Sequence, residues 1–108
     1  MNMLPPSPDI CRIRAKEYCR RHYHCEITEL KPLDRACAAY VLGVKCGIRP
    51  QEELAAFLGI SLSTLRRDVQ SHQFLNAQFE NVHKKTDAFY RYILYNGIYT
   101  RSPYESCK

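Results

Sequence analysis

Apolar residues recur along most of this chain at intervals of three and four, the spacing of helices that bury one face, and only 98–100 reads as a possible strand. Ile10, Ile13, Ala15, Tyr18 and Cys19 predict a first helix from Ile10 to about His22, capped by Asp9, with Arg12, Arg14, Lys16, Arg20 and Arg21 around the remaining faces. Between His24 and Leu33, Ile27 and Leu30 are apolar anchors, Thr28 is a candidate cap for a short turn, and Pro32 reads as a loop. A second helix fits Asp34 to Val44 or Cys46, with Asp34 as its cap. Its apolar residues Ala36, Cys37, Ala39, Tyr40, Val41 and Val44 surround most of the circumference, which places it at the centre of the fold. Gly47 then closes it, and Ile48 tucks back.

The stretch from Pro50 to His72 carries the strongest local pattern. Pro50 opens a helix where a missing N–H costs nothing, and Glu52 and Glu53 favour its first turn. Leu54, Ala55, Phe57 and Leu58 form a buried stripe, Gly59 ends the helix in a left-handed conformation, Ile60 plugs the corner, and Ser61 caps a second helix from Leu62 to His72 or Phe74. Two helices joined by a tight Gly-bearing turn are a helix-turn-helix pattern, with Leu54, Leu58, Ile60, Leu65 and Val69 as shared core and small Ala55 at the closest approach. An ordinary helical hairpin with a solvated Arg-Arg face is the competing reading. A last helix runs from Asn76 to Tyr95, with Phe79, Val82, Phe89 and Ile93 on one stripe, Thr86 as its polar interruption and Asn96-Gly97 as its end. The expected fold is all-α, a small bundle of about five helices containing a helix-turn-helix, with residues 1–8 as a disordered lead, 9–96 as the domain and 97–108 as a loose tail.

Composition changes this picture in three ways. A chain of 108 residues has room for one modest core and none for a separate catalytic domain, so function is expected on the surface. A formal charge of +5 and a pI near 9.0 suit an anionic partner, nucleic acid first among them. There is no membrane-length apolar run, and the first nine residues lack a basic segment followed by an apolar one, so a cytoplasmic protein without membrane contact is expected.

The six cysteines, at 11, 19, 25, 37, 46 and 107, mostly fall in apolar helical patterns and are expected as reduced thiols. Cys19, His22, His24 and Cys25, with Cys11, are a candidate zinc cluster. A helix would nevertheless point Cys19 inward and His22 elsewhere, and the paired spacing of structural zinc sites is absent. No cofactor or metal is therefore expected. No nucleophile elbow, phosphate loop or carboxylate pair points to an enzyme, and His83 with Asp87 reads as a surface contact.

Ala15-Lys16-Glu17-Tyr18-Cys19, Ile27-Thr28-Glu29-Leu30 and Arg35-Ala36-Cys37-Ala38-Ala39-Tyr40-Val41-Leu42 occur in the order of the elements above. With Phe57, Gly59, Thr64 and Leu65, this order over residues 10–95 resembles the C-terminal DNA-binding domain of the bacterial replication initiator DnaA family, a Trp-repressor-type helix-turn-helix. At the family's Arg-Asp-His positions this chain has Ile60, Ser61 and Leu62, so the resemblance implies the fold and a DNA-binding surface but not the origin-box specificity. No P-loop occurs, so the family's ATPase has no counterpart.

The expected function is binding of double-stranded DNA by a transcription or replication regulator. Ser61, Ser63, Thr64, Arg66, Arg67, Gln70 and Ser71 are its candidate contacts on the recognition helix, and Arg49 is a further phosphate contact. Lys31 and Arg35, in the place of the family's basic loop, are expected by the resemblance at the flanking backbone or minor groove. The alternative is a protein-interaction module, or a homodimer, using the aromatic surface of Phe89, Tyr90, Tyr92 and Tyr95.

Overall fold

The computed structural model describes residues 5–99, with side chains as far as Tyr95. Five α-helices build the bundle: α1 (Pro8–Tyr18), α2 (Pro32–Tyr40), α3 (Gln51–Leu58), α4 (Leu62–Gln78) and α5 (Glu80–Tyr99); no strand occurs among the described residues. α1 and α2 each run on into a π-helical turn, Cys19–Tyr23 and Val41–Lys45, and a 3₁₀ turn, Ile27–Glu29, lies between them. Met1–Leu4 of the expected lead and Thr100–Lys108 of the expected tail, including Cys107, lie outside the described residues. No described helix is long and apolar enough to cross a membrane.

Proline rather than aspartate sets two of the helix starts. Ser7, not Asp9, caps α1 by accepting the Ile10 N–H at 3.4 Å, with Pro8 opening the helix and Asp9 in its first turn. α2 starts at Pro32, not at Asp34, because a proline's fixed φ suits the first helical position; Asp34 instead bonds Lys85 Nζ of α5 at 3.0 Å. The turn before α2 is closed by Glu26 and Glu29 in a reciprocal capping box, and Thr28 packs on Gly59 rather than capping. The α4–α5 boundary falls at Phe79, which has extended backbone and an exposed ring, so α4 outlasts its expected end and Phe79 does not join the α5 stripe. α5 continues through Asn96-Gly97 to Tyr99, which also removes the strand expected from Ile98.

α2 is central, as its encircling apolar pattern requires. Ala36, Cys37, Ala38 and Ala39 are all buried, and their small side chains let the neighbouring helices, α4 foremost, pack closely around it. Along α1 and into its π-helical turn the buried line is Cys11, Ala15, Tyr18 and Cys19; Ile10 and Ile13 lie outside it, and Ile13 is 59% exposed. The Tyr18 ring meets Phe89 and Tyr92 of α5 edge-on at 5.0 and 5.2 Å. Leu42, Ile48, Leu54, Leu58, Leu65 and Ile93 fill the middle, and Val82, Thr86, Phe89 and Ile93 form the inner stripe of α5.

A polar knot sits inside this core. His72 of α4 is fully buried, stacked on Tyr40 at 4.3 Å, with its Nε2 2.7 Å from Thr86 Oγ1 of α5. Thr86 donates its own proton to Val82 O at 2.9 Å, so His72 Nε2 must carry the proton in their shared bond. Nδ1 is then a bare acceptor, buried without a partner among the described residues, and a second proton there would find no acceptor among them. Burial accordingly holds the His72 pKa below its ordinary value of 6.5.

Two stability measurements follow from this packing. Leu65→Ala should lower unfolding free energy by about 2–4 kcal/mol in a urea titration, the cost of a buried leucine truncation. The unfolded chain takes up the His72 proton at a higher pH than the folded one does. The melting temperature should therefore fall as pH drops below about 6.5, and His72→Gln, which keeps a donor for Thr86 and cannot be protonated, should flatten that slope.

Candidate nucleic-acid interface

α3 and α4 are joined by three residues, Gly59, Ile60 and Ser61, whose hydrogen bonds fix the corner. Gly59 has φ +74°, and the Ile60 N–H bonds Ala55 O at 2.9 Å while the Gly59 N–H bonds Ala56 O at 3.1 Å, satisfying the last carbonyls of α3. A side chain on Gly59 would be strained by that φ and would stand 3.1 Å from Thr28 Cγ2. Ser61 Oγ accepts the Thr64 N–H at 3.2 Å, which caps α4, and also lies 3.0 Å from Thr64 Oγ1 and 3.2 Å from Ser63 Oγ. Leu54, Ala55, Leu58 and Leu65 are buried at the junction, with Ile60 and Val69 half-buried beside them.

This packing decides which face of α4 meets solvent. Leu65, Asp68 and His72 point inward; Ser63, Arg67 and Gln70 fall at i, i+4 and i+7 along the opposite side, all exposed. Arg66 flanks that line and reaches Gln51 Oε1 of α3 at 3.4 Å, and Arg67 has no ionic or hydrogen-bond partner among the described residues. A groove of about 300 Å³ runs beside it, with Val44, Leu54, Leu65 and Val69 as an apolar floor and Arg49, Gln51, Arg66, Gln70 and Gln73 around its rim.

Asp68 is the single acidic residue of α4, and Arg35 of α2 neutralises it with two bonds of 2.6 and 3.3 Å. The donor that neutralises α4's own acid thus comes from 33 positions away, and the outer face of the helix is left wholly neutral or cationic. No family model, curated protein or solved structure matches the chain.

The residues expected to face DNA divide into two groups. Ser61, Ser63, Thr64, Arg66, Arg67, Gln70 and Ser71 are brought together by α4, although Thr64 is half-buried with its hydroxyl tied to Ser61, and Ser71 lies toward one flank. Arg35 does not belong with them, because its guanidinium is committed to Asp68. Arg49 keeps its place on the groove rim, but its Nη1 is occupied by the Gly43 and Ile48 carbonyls at 2.9 and 3.1 Å. Lys31 is exposed at the cap of α2.

The aromatic surface expected on the closing helix is largely consumed by the fold. Phe89 is 3% exposed in the core and is not available to a partner. Tyr90 and Tyr92 are half-buried against the core, Tyr90 beneath Lys45 Nζ and Tyr92 edge-on to Tyr18 and His22, and Tyr95 is half-buried. Asp87 pairs with Arg91 at 3.0 Å rather than with His83. Cys19 is core, His22 and His24 are exposed, and Cys25 is half-buried; among the described residues no three His, Cys, Asp or Glu side chains converge on a point that could hold a metal. Cys11 Sγ donates to Pro6 O at 3.5 Å, and desolvation pushes the thiols of buried Cys11 and half-buried Cys46 up.

Phe74, Gln73 and Gln51 carry no role in the sequence reading, and Val44, expected in the apolar wrap of the second helix, is instead 50% exposed beside the groove. Phe74 lies on the Ser63–Arg67–Gln70 line at i+11 from Ser63, a position visible in the spacing once α4 is known to continue past it. Asp68→Asn should lower stability by on the order of 2 kcal/mol in urea unfolding, less than the roughly 3–5 kcal/mol of a fully buried pair because Arg35 retains some solvent. Gly59→Ala should cost about 1–2 kcal/mol through its left-handed backbone, read as a lower melting temperature.

Proposed function

We propose that the protein binds double-stranded DNA, with α3 and α4 acting as a helix-turn-helix and the outer face of α4 lying in the major groove, in the role of a transcription or replication regulator. The observation that carries this reading is the outer face of α4: Ser63, Arg67 and Gln70 in line, Arg66 beside them, and the helix's one carboxylate turned inward and neutralised by Arg35. A polyanion approaching this face meets hydrogen-bond donors and positive charge with no repelling group on the helix.

The capped first turn of α4 supports the same reading. Its dipole favours negative charge, and Ser61 and Ser63 are exposed at that end. Arg66, Arg67 and Gln70 are then the base or phosphate contacts, and the formal charge of +5 gives the nonspecific attraction. The likeness to the DnaA DNA-binding domain agrees with a surface of this kind, while Ile60, Ser61 and Leu62 at its recognition positions imply a different target site.

A salt titration of binding to random-sequence duplex tests the proposal. Wild-type affinity should fall steeply with salt, and the Arg66→Ala/Arg67→Ala double variant should bind more weakly with a slope smaller by about one unit per lost phosphate contact. Equal affinity and equal slope for the two proteins would take α4 out of the interface.

A further inference from the structure

Phe74 is 61% exposed, the one large apolar side chain on the outer face of α4, and it extends the line of Ser63, Arg67 and Gln70 by one further turn. Isolated apolar residues on a surface are ordinary, but this ring is placed in a polar, cationic line whose other members are hydrogen-bond donors. At a rise of about 1.5 Å per residue, the seven residues from Arg67 to Phe74 cover about 10 Å, close to three base steps of about 3.4 Å. A helix lying along a major groove would thus carry Arg67, Gln70 and Phe74 along a run of about four base pairs.

Within that groove the base edges offer mainly polar atoms, and the apolar group they do offer is the C5 methyl of thymine. Charge favours this occupant over a second copy of the chain, which would bring the same Arg66 and Arg67 against themselves. Phe79, the next exposed aromatic, lies beyond the end of α4 and off this line.

We infer that Phe74 is a specificity-determining residue whose ring packs on a thymine methyl in the major groove, giving the site a preferred thymine about three base steps from the contact of Arg67. This rests on the DNA-binding reading of α4. Arg67 and Gln70 supply polar contact, whereas Phe74 supplies discrimination through a methyl group alone.

The full chain is used to select bound sites from a random duplex pool, and each thymine of the selected site is then replaced by uracil, which deletes only the methyl. Wild-type protein should lose about fourfold in affinity at one such position, the value of one apolar carbon removed from contact. Phe74→Ala should bind wild-type and uracil sites equally, and Phe74→Leu should retain part of the discrimination. The exposure of Phe74 allows both variants to fold, which their melting curves check. A wild type that binds duplex yet ignores uracil everywhere, or a Phe74→Ala variant that keeps the penalty, overturns the role of Phe74 and leaves DNA binding standing. Absence of any duplex binding at low salt overturns both.

Discussion

The seam between α2 and α4 holds the remainder of the bundle in register. Along α2 the side chains of Ala36, Cys37, Ala38 and Ala39 are small and buried all round the helix, and α4 lies against α2 with Leu65, Asp68 and His72 turned inward. Two polar contacts fix the azimuth of α4 where apolar packing alone would tolerate rotation. Arg35 grips Asp68 through two nitrogens, and His72 bonds Thr86 on the neighbouring α5. A rotation of α4 would strand a carboxylate and an imidazole in the core, each at a cost larger than that of moving a leucine. The outer line of Ser63, Arg67, Gln70 and Phe74 is therefore the consequence of what the inner line must satisfy.

The same azimuth is held at the helix entrance. Gly59 lets the chain reverse in three residues, Thr28 packs on the space its missing side chain leaves, and Ser61 closes the first turn of α4. Because α3 arrives at that corner, Gln51 and Arg66 come together and the groove opens beside them, with Arg49 braced on its rim by two carbonyls. The surface proposed to meet DNA is thus presented by regular, well-packed helix rather than by loop. A preorganised surface of this kind loses little conformational entropy on binding.

Electrostatics follows the packing. The chain carries sixteen Lys and Arg against eleven Asp and Glu. Many of these charges are matched in the fold: Arg12 with Asp9 and Glu53, Arg20 with Glu26, Lys85 with Asp34, Arg91 with Asp87. Arg67 has no ionic partner among the described residues, and it stands at the middle of the α4 line.

Local physics was legible from the sequence alone: the helical class, the encircling apolar pattern of α2, the glycine ends at Gly47 and Gly59, the Ser61 cap and the inner stripe of α5. Each depends on residues within one or two turns of each other, so their spacing carries the information. Helix limits near Pro8, Pro32 and Phe79 were shifted because a proline or a preceding serine outcompeted the nearest aspartate, and because α4 had no breaking residue at Phe74. Only the tertiary structure decided that Arg35 belongs to Asp68, that Arg49 is braced by carbonyls, that Phe89 is core and that Phe74 is not. Those outcomes join residues far apart in the chain, and a charge or an aromatic ring has the same appearance in sequence whether its partner is solvent or another helix.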